Sequence, residues 1–311
     1  MVRRVFRGPH GSAGSGDRPR AGTAVRPVVL RCPELAAFPG LLPVDSAARA
    51  ITWSPRPGAV TPAEHAEEAI AALDAAGAEA AVVVGWSGGT VVALDLARRF
   101  PDRIRGAMLL AAPPTLGTET LLHAVGFPTA VRRLLALGGS TSLRWVGDLL
   151  ESVTASVPVG YLPAGVLRSA GLLRAEADTA ALTAAVRRLL QHDWRWHAEL
   201  SLAWSASAGP RVSGLSCPVT VLAGAHDVLA DVGSIARTVA ELPQARVREL
   251  PASHFLPFEA PDAVRAELAL LLRRVEAVER ARLGVDPPPP EVPRVRLPLP
   301  EDGPRRKAAP S

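Results

Sequence analysis

Three side chains in this sequence could together make an alcohol reactive: Ser87, Asp227 and His254. A serine hydroxyl is a poor nucleophile until a base takes its proton, and an imidazole serves best as that base when a carboxylate orients it. Ser87 stands in Gly85-Trp86-Ser87-Gly88-Gly89, the pattern G-x-S-x-G, directly after the apolar run Ala80-Ala81-Val82-Val83-Val84. A sharp strand-to-helix turn would hold such a serine exposed, and its flanking glycines would let two backbones approach where a Cβ would clash. The helix start beyond Ser87 offers free N–H groups and partial positive charge to an oxyanion. Gly88 is the donor at that point.

Asp227 lies just past the β-rich run 219–223, and His254 just past the next one, 27 residues further on. Open parallel sheets place their ligand sites at such strand ends. Each residue also has an ordinary role: Ser87 as a helix N-cap, Asp227 as a turn former, His254 as a loop residue. The order Ser, Asp, His at three strand ends favours the chemical reading. His226 and Asp231 are near enough to Asp227 to compete for its place.

The elements that must position these residues are legible as an alternation. Short β-rich runs at 27–30, 50–53, 80–84, 104–111, 219–223 and 247–250 alternate with helical stretches, which predicts a mostly parallel, doubly wound α/β sheet. Thr61-Pro62-Ala63-Glu64 combines a capping box with proline at the first helical position, and Gly77 supplies the stop. The helix after Ser87 carries Val92, Leu96 and Phe100 at four-residue spacing and ends before Pro101. A last helix is expected over 261–283.

Between residues 114 and 213 the strand rhythm gives way to helical spacing, which predicts a helical cap inserted after the strand ending near Ala111. The expected organisation is a flexible leader over 1–26, a core formed by 27–113 and 214–283, the cap over 114–213, and a disordered proline-rich tail over 284–311. Nine of the 30 prolines fall in that tail.

With the elbow, the late Asp turn and the following histidine in place, the sequence resembles the serine-nucleophile branch of the α/β-hydrolase superfamily over about residues 27–283. The resemblance implies Ser87 as nucleophile, Asp227 as the orienting acid and His254 as general base. It also implies a second oxyanion donor in a His-Gly-x segment after the first core strand. Here that strand runs into Cys32-Pro33, and Pro33 has no N–H. The hole is then built from Glu34 or Leu35 in a shifted register, or rests on Gly88 alone. His10-Gly11-Ser12 offers the dipeptide elsewhere, but the helix required after it would have to contain Gly14, Gly16, Pro19 and Gly22, which makes it a decoy. The expected activity is cleavage of a small to medium apolar carboxylic ester, lactone or thioester. The alternative is a weak or inactive hydrolase-like binding protein.

Trp194, Trp196 and Trp204 in the insertion, with Trp86 beside the nucleophile, are candidates for an apolar substrate pocket or for packing the cap. His192 and His197, five residues apart, do not share a helix face, so no metal site is expected there. No cofactor is required by acyl transfer of this kind.

Composition narrows the partners. The net charge is +5, but residues 1–26 alone carry +5 and residues 273–311 carry +3, leaving the body at −3. A nucleic-acid-binding face on the body is not expected. Lys307 is the sole lysine. Two cysteines far apart, Cys32 and Cys217, suggest a reducing cytoplasm, and no apolar run approaches the ~18 to 20 residues of a membrane span. Oligomeric state is not legible.

Overall fold

The alternation resolves into a single sheet in a computed structural model that describes residues 26–32, 48–56, 58–112, 214–227, 230, 235 and 239–286. The strands are β1 (Val28–Arg31), β2 (Arg49–Thr52), β3 (Ala81–Trp86), β4 (Ile104–Leu110), β5 (Val219–Gly224) and β6 (Ala245–Leu250). The helices are α1 (Pro62–Ala75), α2 (Gly89–Arg99), the single turn α3 (Leu256–Glu259) and α4 (Pro261–Arg282). Every strand pairing is parallel, in the order β2-β1-β3-β4-β5-β6. The expected fold class is the observed one. The expected leader up to residue 25, the cap, the tail from residue 287 on, and Pro33 to Leu35 lie outside the described residues.

A sheet covered on both faces needs apolar residues at successive positions, not at alternate ones. β3 and β5 meet that need, since all six residues of each are buried. Their side chains then sort by parity. Val83, Ala107, Leu109, Val219 and Val221 join one core with Leu73 of α1 and Val92 and Leu96 of α2. Val82, Val84, Met108, Leu110 and Leu222 join the opposite core with Val264, Leu268 and Leu271 of α4. Cys32 and Cys217 are both free thiols under the first of these layers.

The helix signals act as physics requires. Thr61 Oγ1 accepts the Glu64 N–H at 3.2 Å while the Glu64 carboxylate accepts the Thr61 N–H at 2.9 Å, closing the capping box. Gly77 takes φ +63° at the C-terminal stop, a value that favours glycine.

Strand ends shift by one or two residues from the sequence expectation, β3 running on to Trp86, and two further departures have a traceable cause. β6 begins at Ala245, two residues earlier than its apolar signal, because its middle residues Arg246 to Glu249 are exposed and carry no periodicity. Arg246 and Arg248 instead reach the buried Glu267 of α4, at 3.2 and 3.3 Å. The turn α3 was not anticipated. Proline at its second position and only four residues give it no helical period.

The strand order reverses between β1 and β3: the chain leaves β1 for β2 on one side and returns to β3 on the other. Connections diverge there, and open parallel sheets place their ligand sites beyond the carboxyl ends of the strands at such a point. Ser87 is the first residue after β3.

Candidate active site

Ser87 has φ +51°, in the left-handed region that residues bearing a Cβ rarely adopt. Such a conformation costs on the order of 1–3 kcal/mol and persists only where its surroundings enforce it. Three hydrogen bonds and one close packing do so. The Ser87 N–H donates to the Leu110 carbonyl at 2.9 Å, which extends the β3–β4 ladder into the turn. The Ser87 carbonyl accepts both the Thr90 N–H at 3.1 Å and the Thr90 hydroxyl at 2.6 Å. Gly85 packs so closely on the start of α2 that a Cβ there would lie 2.5 Å from the Gly89 carbonyl oxygen.

The other two side chains come from the ends of β5 and β6. The Asp227 carboxylate is fully buried; its Oδ1 accepts the Ala230 N–H at 2.9 Å, and its Oδ2 faces His254 Nδ1 at 2.9 Å. On the far side of the ring, His254 Nε2 lies 2.9 Å from Ser87 Oγ. An ionised carboxylate only accepts hydrogen bonds, so Nδ1 carries the imidazole proton and Nε2 turns its lone pair to the hydroxyl. The serine O–H donates to it. That is the arrangement in which an imidazole can remove a serine proton. Among the described residues nothing accepts the Gly88 N–H, which sits buried at the head of α2 beside Ser87.

The loop carrying His254 is tied to the rest of the site. The His226 N–H donates to the Ala252 carbonyl at 3.0 Å and the Ala225 N–H to the Leu250 carbonyl at 2.8 Å, so the Asp227 turn and the His254 approach form one hydrogen-bonded unit. Gly224 permits that contact. A Cβ there would lie 2.4 Å from the carbonyl oxygens of both Ala252 and Ser253.

With the elbow, its two partners and the sheet in view, the chain can be set against known proteins. Residues 48–261, more than half of the chain, match the family model described as alpha/beta hydrolase fold. The chain belongs to the α/β-hydrolase family. Pimeloyl-(acyl-carrier protein) methyl ester esterase of Chromobacterium violaceum is 28% identical over 205 residues, covering 60% of this chain and 68% of that protein. The protein of the same name from Aromatoleum aromaticum is 29% identical over 179 residues, covering 57% and 68%. Among solved structures, the enol-lactonase from Burkholderia xenovorans LB400 superposes with a TM-score of 0.56 at 18% identity, over 79% of this chain and 91% of that one. At that identity the likeness is one of fold.

The α/β-hydrolase sheet thus brings together Ser87, Asp227 and His254, with Gly88 beside them. His226 is exposed and contributes its backbone to the turn. Trp86, expected as a candidate for the substrate pocket or for packing, is 3% exposed and belongs to the same core as Val84 and Phe258. Its indole N–H donates to the His254 carbonyl at 2.9 Å. Asp231, Glu34, Trp194, Trp196 and Trp204 lie outside the described residues.

Sequence reasoning missed Thr90, Ser253 and Glu259. A hydroxyl three residues past the elbow serine was a usable signal for Thr90, since threonine in a helix bonds back to a carbonyl one turn earlier. Among the described residues no group of three or more His, Cys, Asp or Glu could hold a metal ion, and no helix is long and apolar enough to cross a membrane.

Proposed function

We propose that this α/β-hydrolase cleaves a small to medium apolar carboxylic ester, or a lactone or thioester of similar size, through an acyl-enzyme on Ser87. One observation carries the reading: the unbroken line from Asp227 through His254 to Ser87, with both contacts at 2.9 Å. The methyl ester esterases among its relatives support ester chemistry.

In the proposed cycle His254 Nε2 takes the Ser87 proton as Oγ attacks the substrate carbonyl carbon. The carbonyl oxygen becomes an oxyanion and meets the Gly88 N–H. The tetrahedral species expels the alcohol, which leaves with the proton held by His254. A water then attacks the acyl-enzyme, giving its proton to His254, and the acid departs as that proton returns to Ser87 Oγ. Asp227 keeps the ring oriented and offsets the imidazolium charge. A second oxyanion donor from Glu34 would contribute about 3–4 kcal/mol to the barrier reduction. The cap over 114–213, with Trp194, Trp196 and Trp204, is proposed as the wall of the acyl pocket. The cytoplasm is the proposed compartment.

The test is a fluorophosphonate probe together with chromogenic esters of increasing chain length. The wild type is expected to label and turn over. Ser87→Ala is expected to do neither, with kcat reduced on the order of 10⁶-fold. Equal labelling of both proteins would remove Ser87 from the mechanism. A wild type that binds esters without cleaving them would establish the binding-protein alternative.

A further inference from the structure

The peptide that carries His254 is held by two side chains that the cycle above does not use. Glu259, at the end of α3, places one carboxylate oxygen 2.6 Å from the Ser253 N–H and the other 2.8 Å from Ser253 Oγ. Ser253 Oγ in turn accepts the Phe255 N–H at 3.2 Å. The amides on both sides of His254 are therefore tied, one directly and one through a hydroxyl, to a single carboxylate. The remaining end of the 254–255 peptide, the His254 carbonyl, accepts the Trp86 indole N–H at 2.9 Å. Trp86 is fixed in its turn by edge contacts with Phe255 and Phe258, at ring separations of 5.9 and 5.7 Å.

We propose that Glu259 is a positioning residue for the acyl transfer. With the Trp86 indole as the second anchor, its carboxylate fixes the peptide around His254, and so holds Nε2 at hydrogen-bond distance from Ser87 Oγ. The proposal rests on the reading in which His254 is the general base. It requires a carboxylate in particular. Both Glu259 oxygens accept from Ser253; an amide at this position would turn its N–H₂ group to Ser253 Oγ, making that hydroxyl accept where it now donates, and would leave both links without the strengthening that a charged acceptor gives. A loosened peptide lets the imidazole wander between its two partners, and a displacement of about 1 Å at reacting atoms costs on the order of 100-fold in rate.

Glu259→Gln and Trp86→Phe, made separately in the full chain, test this. Two readouts are needed: kcat and KM on p-nitrophenyl esters, and the proton NMR signal of the His254 Nδ1–H, identified by its loss in His254→Ala. In Glu259→Gln, kcat is expected to fall about 10- to 100-fold with KM within about twofold, while the Nδ1–H signal broadens or disappears and the cooperative melt is retained. Trp86→Phe, which keeps an aromatic ring but removes the donor together with part of the indole's volume, is expected to change both readouts in the same direction.

Unchanged kcat and an unchanged Nδ1–H signal in Glu259→Gln overturn the proposal. So does a Glu259→Gln chain that fails to fold, which makes Glu259 a structural residue. A wild type that hydrolyses no ester sinks the esterase reading alone. The NMR signal then decides the positioning role by itself.

Discussion

At the scale of the residue, the site combines a strained serine with a carboxylate whose two oxygens are committed to different tasks. Asp227 Oδ1 closes its own turn onto Ala230, and Oδ2 orients His254. Asp227→Asn keeps the shape but brings an N–H₂ group to one of these donors. The ring is then expected to adopt the wrong tautomer, lowering kcat by about 10³- to 10⁴-fold with little change in Tm; steady-state kinetics beside a thermal melt would check both. Much of this was legible. Gly85, Ser87 and Gly88 announce a strained elbow because glycine is the residue that tolerates crowding, and crowding is what a Cβ at Gly85 would meet. The partner of the Trp86 indole was not legible, since it lies 168 residues away along the chain and no local pattern encodes so distant a hydrogen bond.

At the scale of the element, two glycines in adjacent strands should respond differently to a methyl group. A Cβ at Gly85 would meet backbone of α2, at 2.5 to 2.8 Å from three main-chain atoms, whereas one at Gly106 would meet first the Val275 side chain, at 2.6 Å. A helix terminus cannot step aside without moving the elbow, but a valine can rotate or shift with its helix. Gly85→Ala is expected to cost about 2–3 kcal/mol and to abolish turnover; Gly106→Ala should cost less and leave kcat near wild type. Urea denaturation of the two variants would rank them. The long signals, such as the Thr61 capping box and the Val92/Leu96 spacing, predicted their elements closely because local chemistry decided them. The start of β6 and the turn α3 escaped because tertiary contacts decide those. Exposed arginines of β6 are held by Glu267 across the layer, and α3 exists where its glutamate can reach Ser253.

At the scale of the whole molecule, stability should fall on the acid side for a reason outside the site. His65 is buried in α1, with its Nε2 3.2 Å from the Ala59 carbonyl, and burial holds its pKa below the ordinary histidine value. The unfolded chain therefore takes up this proton first as pH falls. The stabilisation from neutral His65 is complete above the ordinary value of about 6.5 and is lost progressively below it. Between pH 8 and pH 5.5 the wild type is expected to lose more Tm than His65→Gln, as calorimetry at the two pH values would show. The two cysteines bear on the folded chain in another way. Cys32 and Cys217 are 2% and 6% exposed, and burial pushes both thiols above their usual pKa. Maleimide at neutral pH should thus find no native target. A cysteine placed at Leu283, which is 78% exposed, would accept a fluorophore alone, giving a one-site reporter on this hydrolase without first stripping its own sulfur.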